Sequence, residues 1–229
     1  MKKGDDRRQQ ILSTAERLFY EKGYEATSIQ DILDAMSLSK GGFYHHFESK
    51  MSLLSDICEV RAEEARQGMA EAVAACEGGA LDKLNALFLR GGLLQGTNMD
   101  FVALLLNVAY RGDGVLLREK MKRATIGGAL PMLNEIIFQG IDEKIFFTRY
   151  PEDIGELLLL LFTNLTDEIA QILATRPDNI GEALAKLEVY RNSVETLLNA
   201  PYGSVLLFPL ERMAEAYSAV TDAERRFTS

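Results

Sequence analysis

Two cysteines and two histidines in 229 residues leave little material for metal or redox chemistry. Cys58 and Cys76 lie far apart, without C-x-x-C spacing, and read as free thiols of a reducing compartment. His45 and His46 are adjacent, with no third histidine to complete a ligand set, so no metal site is expected. Strand signals are scarce, since no run alternates apolar and polar residues over a strand's length between turn residues. The most apolar window, residues 154–165, contains five consecutive leucines. Gly155, Glu156, Thr163 and Asn164 interrupt it, and it falls short of the roughly 20 apolar residues that span a bilayer. The N-terminus carries Lys, Asp and Arg but no apolar h-region, and is expected not to be a signal peptide. A Gly-rich phosphate loop after a strand, paired carboxylates with histidine at ligand spacing, and a Ser/His/Asp set are all missing. No catalytic residue and no cofactor are therefore expected.

What the chain does contain is helical periodicity, with 47% hydrophobic and 26% charged residues, the balance of a soluble globular protein. The expected class is all-α, in a cytoplasmic protein. Net charge is −9, unevenly distributed. Residues 1–55 hold eight Lys/Arg and eight Asp/Glu, so all the net acidity lies in the remainder. Such asymmetry points to different roles for the two parts, and an acidic body would turn the neutral N-terminal face toward any polyanion.

The periodicity predicts a first helix over 6–22, with Ile11, Leu12, Ala15, Leu18 and Phe19 as its apolar stripe and Gly23 as its end. Thr27 and Ser28 are N-cap candidates for a second helix, with Gln30 at capping-box spacing from Thr27 and Ile29, Ile32, Leu33 and Met36 inward. Ser37-Leu38-Ser39 forms a turn. A third helix over 39–46 is too short to stand alone and must be held by Phe43 and Phe47. Ser49 caps a long fourth helix reaching about residue 76. Further helices are expected at 81–95, 99–111, 115–139 (kinked at Pro131), 152–175, 180–199 and 206–220.

The second and third helices form a helix–turn–helix whose last element exposes an unusual surface. Gly41 and Gly42 leave its first turn nearly bare, so its backbone can approach a flat surface closely. Around them stand Ser39, Lys40, Tyr44, His45, His46 and Lys50. Residues at this turn reach base edges in the motif class, where Lys40 would read guanine O6 and N7 and Gln30 adenine or a phosphate. Thr27, Ser28 and Lys50 sit at helix N-termini, where free amides favour an anion. Lys2, Lys3, Arg7 and Arg8 form either an arm along a DNA backbone or a solvated tail.

Residues 7–55 resemble the DNA-binding domain of the tetracycline-repressor (TetR) family of bacterial regulators. The match is carried by Ile11, Ala15, Leu18, Phe19 and Gly23, then Thr27-Ser28-Ile29, Ser39-Lys40-Gly41, Phe43-Tyr44-His45-His46-Phe47 and Ser49-Lys50. Ser37 stands where the family often has a glycine of positive φ. The resemblance implies a DNA-binding domain over 1–48 and a ligand-binding and dimerisation domain over 49–229. It also implies phosphate contacts at Tyr44 and His45, a homodimer through 152–175 and 180–199, a palindromic double-stranded operator, and release by a small-molecule inducer. For the inducer pocket, Phe88, Phe101, Leu105, Val108 and Met132 are candidate walls and Asn107, Tyr110 and Arg111 candidate polar contacts, though each singly also fits plain core. A ligand there would shift the fourth helix. The alternatives are an activator or ligand-independent DNA-binding protein and, in a different class, an α-helical enzyme or carrier.

Overall fold

The computed structural model describes residues 3–90, 99–111, 114–176, 179–207 and 218. Among the described residues there are nine helices and no strand: α1 (Lys3–Lys22), α2 (Ile29–Met36), α3 (Lys40–Tyr44), α4 (Lys50–Ala74), α5 (Ala80–Arg90), α6 (Met99–Arg111), α7 (Val115–Asp142), α8 (Ile154–Thr175) and α9 (Ile180–Leu198). The all-α expectation holds. The helix expected over 206–220 falls largely outside the described residues; Leu206 and Leu207 are not helical. The same is true of residues 91–95, expected to extend α5.

Helix ends follow local chemistry. Gly23, at φ +87, closes α1 as its amide donates to the Phe19 carbonyl at 3.0 Å. Ser49 and Ser52 cap α4 reciprocally. The first amide of α5, on Ala80, donates to the Glu143 carboxylate just beyond α7 at 2.9 Å. α7 runs through Pro131 without interruption, and this proline lies on its exposed face. α8 is long and apolar enough to cross a membrane by length and composition, longer than the interrupted window suggests, yet 56% of its apolar window is buried within the protein.

Two apolar cores share α6. The first gathers Ile11, Ala15, Phe19, Ile32, Phe43, Phe47, Leu53 and Ile57 from α1 to α4, together with Phe101, Leu105 and Val108 of α6. The second is built from α5, α7, α8 and α9 around Leu84, Phe88, Leu133, Leu158, Phe162 and Val194, with Val102 and Leu106 from the other face of α6. α3, at five residues, cannot persist alone. Phe43 anchors it with no exposed surface, its ring 5.7 Å from that of Phe47.

Ser37 ends α2 in the left-handed conformation, at φ 49 and ψ 44. A Cβ there costs about 1–2 kcal/mol, partly offset by the greater unfolded-state freedom of glycine, about 0.5–1 kcal/mol. Ser37→Gly is therefore expected to stabilise the protein by up to about 1 kcal/mol, read as a higher urea midpoint at unchanged m-value.

Candidate nucleic-acid interface and ligand cavity

α2 is capped by Ser28 rather than Thr27. The Ser28 hydroxyl accepts from the Asp31 amide at 3.1 Å, and the Asp31 carboxylate accepts from the Ser28 amide at 2.8 Å. The capping partner is thus Asp31, not Gln30. Hydrogen bonds from Lys22 and then from Ser28 hold the Asp31 carboxyl well below the usual carboxylate range. Thr27 was expected at the anion-binding surface; it is fully buried, its hydroxyl directed at the carbonyls of Gly23 (2.8 Å) and Leu18 (3.2 Å). A side chain locking the α1–α2 turn cannot also face a ligand. Gln30 is exposed and donates to Asp34 at 2.7 Å.

In α3 the Ser39 hydroxyl accepts from the Gly42 amide at 3.1 Å. Lys40, Gly41, Tyr44 and His45 are exposed, while Gly42 and His46 are half-buried. The two glycines differ. A Cβ added at Gly41 would meet nothing within 4 Å, whereas one at Gly42 would lie 2.8 Å from the Leu38 side chain. The bare surface is that of Gly41; Gly42 makes room for Leu38.

Several cations expected to face outward turn inward. The Lys50 ammonium donates to the carbonyls of Tyr24 (2.8 Å), Thr27 (3.0 Å) and Glu25 (3.4 Å), and stands 4.3 Å from the Tyr24 ring centroid. Lys50 thus clamps the α1–α2 turn to the start of α4; three carbonyl dipoles satisfy its charge. Arg8 pairs with Asp56 at 2.8 Å and lies over the Phe47 ring, and Arg7 donates to Gln10, so these two are folded onto the domain rather than extended as an arm. Lys2 and the side chain of Lys3 lie outside the described residues.

A cavity of about 300 Å³ lies between α4, α6, α7 and α8. Its apolar walls include Met69, Phe101, Met121 and Phe162, and small residues widen it: Ala62, Ala65 and Gly68 on α4, Ala124 and Gly128 on α7. Of the expected pocket residues, Phe101 and Tyr110 line it. Leu105 and Val108 instead pack in the first core, and Met132 against the second. Phe88 stacks with Phe162 and Tyr190, at 5.5 and 6.4 Å between centroids. Asn107 is half-buried outside the lining, and the Arg111 side chain lies outside the described residues. Helical periodicity marked these residues as inward-facing but not which neighbour they meet.

Apart from Tyr110, the polar groups of the cavity went unrecognised in the sequence. Tyr110 donates to Asp167 at 2.9 Å, and burial, then the Asp167 charge, pushes its phenol pKa up. Arg118 stands 3.8 Å from Asp167 and over the Tyr110 ring. Arg61 grips Glu16 of α1 with two nitrogens, at 2.8 and 2.7 Å, and reaches Glu64 with the third at 2.7 Å. Burial pushes the Cys58 thiol up to about 12, which leaves a neutral wall group rather than a nucleophile.

A short helix capped by Ser39, set against α2 across a left-handed turn at the head of an all-helical chain, defines a helix–turn–helix protein. Residues 11–57 match the model described as bacterial regulatory proteins, tetR family. The uncharacterised transcriptional regulator YerO of Bacillus subtilis (strain 168) is 46% identical over 55 residues, 24% of this chain and 19% of that protein. The transcriptional repressor KstR2 of Rhodococcus jostii (strain RHA1) is 45% identical over 51 residues, 22% of this chain and 25% of the repressor. The matched stretch thus spans about a fifth to a quarter of these curated relatives. The whole fold is similar to that of a TetR-family transcriptional regulator from Pectobacterium atrosepticum, with TM-score 0.63 and 20% identity, covering 88% of this chain and 100% of that one. It is also similar to a TetR transcriptional regulator from Chloroflexus aurantiacus, with TM-score 0.53 and 27% identity over 87% and 97% of the two chains. Residues 11–57 thus resemble the N-terminal helix–turn–helix of the tetR family of bacterial regulators, and the helical architecture around them is similar to that of solved TetR-family regulators.

The inward Lys50 makes a specific expectation. Lys50→Ala should cost about 1–2 kcal/mol through its lost carbonyl bonds, lowering the melting temperature by roughly 2–8 °C. A side chain that served only to bind DNA would leave the melting temperature where it was.

Proposed function

We propose that the protein is a homodimeric transcriptional repressor that binds a palindromic operator and releases it when a small molecule enters the cavity. The observation that carries this reading is the exposed surface around Gly41, flanked by Lys40, Tyr44 and His45 on α3 and by Gln30 on α2. Among the described residues Lys40 has no ion pair, so its charge is available to an acceptor in a groove. Lys40 and Gln30 supply base-edge donors, and Tyr44 and His45 hold the phosphate backbone. Ser28 and Ser39 contribute by fixing the helix starts, Thr27 and Lys50 by fixing the turn behind them.

Helix–turn–helix dimers read half-sites roughly 34–36 Å apart or multiples of that. Support for pairing through α8 and α9 comes from their apolar surface. Leu157 and Leu160 on α8 are both 43% exposed, and Val189 on α9 is 66% exposed. A helix apolar on its own core side and outward as well is suited to burial on two sides. The names of the relatives agree with the reading, since KstR2 is a transcriptional repressor. Resemblance to a family of regulators also favours a non-enzymatic role.

Selection of bound sequences from random DNA tests the reading directly. The expected product is a two-fold symmetric site whose affinity falls with salt on a log–log slope of several units; no enriched sequence would overturn it. Gly41→Ala is the sharper probe. Its Cβ meets nothing in the free protein and improves helix propensity by about 1 kcal/mol, so stability should hold or rise while operator affinity falls at least tenfold. Lys40→Ala should reduce discrimination among base pairs at one position by about 1–3 kcal/mol, measured by competition between selected and altered sites. Leu160→Glu on α8 should leave helicity intact and shift the protein to monomer in sedimentation velocity.

A further inference from the structure

The cavity is charged in a way that its acidic surroundings do not anticipate. Five lining side chains are cationic: Arg61, Arg66, Arg90, Arg118 and Lys122. Only two, Glu64 and Asp167, are carboxylates. The chain as a whole carries −9, so this lining reverses the local sign. The hydroxyls of Thr125, Thr163 and Thr166 each donate back to a carbonyl of their own helix, at 3.0, 3.1 and 3.0 Å. Charged donors over an apolar floor select an acceptor rather than a donor.

Arg61 belongs to two structures at once. It lines the cavity, and it holds Glu16 of α1 through both carboxylate oxygens. Glu16 is 9% exposed and also accepts from the Tyr20 hydroxyl. Any anion that draws the Arg61 guanidinium toward the cavity must loosen its hold on Glu16, and hence α1 on α4. We propose that the cavity receives an organic carboxylate with an apolar body, and that this ligand acts on the DNA-binding helices by competing with Glu16 for Arg61. This rests on the cavity being the regulatory ligand site. A ligand that divides its affinity unequally between the paired and released states shifts the equilibrium by that difference, and the coupling is reciprocal.

The test uses the whole 229-residue chain and its selected operator. Alkyl and aryl carboxylates of eight to fourteen carbons, on the order of what such pockets hold, are each paired with the alcohol and amine of the same skeleton. Binding is measured by calorimetry and operator affinity by fluorescence anisotropy. At least one carboxylate is expected to bind at least tenfold tighter than its alcohol, with the amine weakest, and to weaken operator binding. Arg118→Gln should lower carboxylate affinity without altering operator affinity in the absence of ligand. Glu16→Gln removes the competitor, so the carboxylate should bind more tightly while its effect on the operator shrinks. Arg61→Lys keeps the charge but loses the two-pronged grip; it should retain carboxylate binding and lose most of the coupling, and it stands in for Glu16→Gln should that variant unfold.

Alcohols or amines binding as well as the carboxylates would overturn the ligand class. Undiminished coupling in folded Glu16→Gln and in Arg61→Lys would overturn the role of Arg61. Failure of the wild-type protein to enrich any DNA sequence would instead sink the repressor reading, whatever the carboxylates do.

Discussion

The orientation of the N-terminal helices depends on the grip of Arg61 on Glu16. A nearly buried carboxylate stripped of its partner would cost several kcal/mol, so wherever the middle of α4 goes, α1 follows. Burial works against the Arg61 charge, but hydrogen bonds to Glu16 and then Glu64 outweigh it and hold the guanidinium above its ordinary pKa. Two further ties lie toward the start of α4: Arg8 with Asp56, and Lys50 with the carbonyls that follow α1. From Lys50 to Arg61 is about 16 Å of helix. Three fastenings over that length make α1, α2, α3 and the first turns of α4 one rigid unit. A change that reaches α3 therefore travels as rotation of that unit or as loss of a fastening.

α6 decides where such a change can start. Its Phe101, Leu105 and Val108 belong to the core under the helix–turn–helix, and its Val102 and Leu106 to the core of α5, α7, α8 and α9. The cavity lies along this seam, bounded by Cys58 and Phe101 from the first core and Met69 and Phe162 from the second. Arginines at its wall beside apolar residues suit an occupant that brings polar atoms as well as apolar surface.

The sequence revealed elements more readily than directions. The stripe Ile11, Leu12, Ala15, Leu18 and Phe19, the break at Gly23 and the anchoring of a short helix by Phe43 follow from spacing alone, and all of these side chains are buried. Thr27, Lys50 and Arg8 were legible as residues suited to an anion, but residue type does not say which way a side chain turns. Each found carbonyls or a carboxylate supplied by a neighbouring helix or turn, and such partners depend on tertiary packing. The pocket was obscured for the same reason. Bulky apolar residues such as Leu105 and Val108 fill space, whereas a void arises where small residues recur on facing helices. Ala62, Ala65 and Gly68 on α4, opposite Ala124 and Gly128 on α7, were the available signal. Arginines placed among them marked the polar contacts.

Charge unites the two ends of the proposed switch. All the net acidity lies outside residues 1–55, which favours approach of a polyanion through α3. The same acidity would repel an organic anion, so a cavity meant for one must carry its own cations, and their effect must be local. Screening over roughly 8–10 Å in physiological salt weakens the distant surface charges, while the partly buried arginines at the cavity are screened less. Both proposed ligands are then anions read by short-range cations within an acidic protein. Their effects would meet at a single guanidinium, because Arg61 cannot hold Glu16 with both prongs and serve a carboxylate equally well.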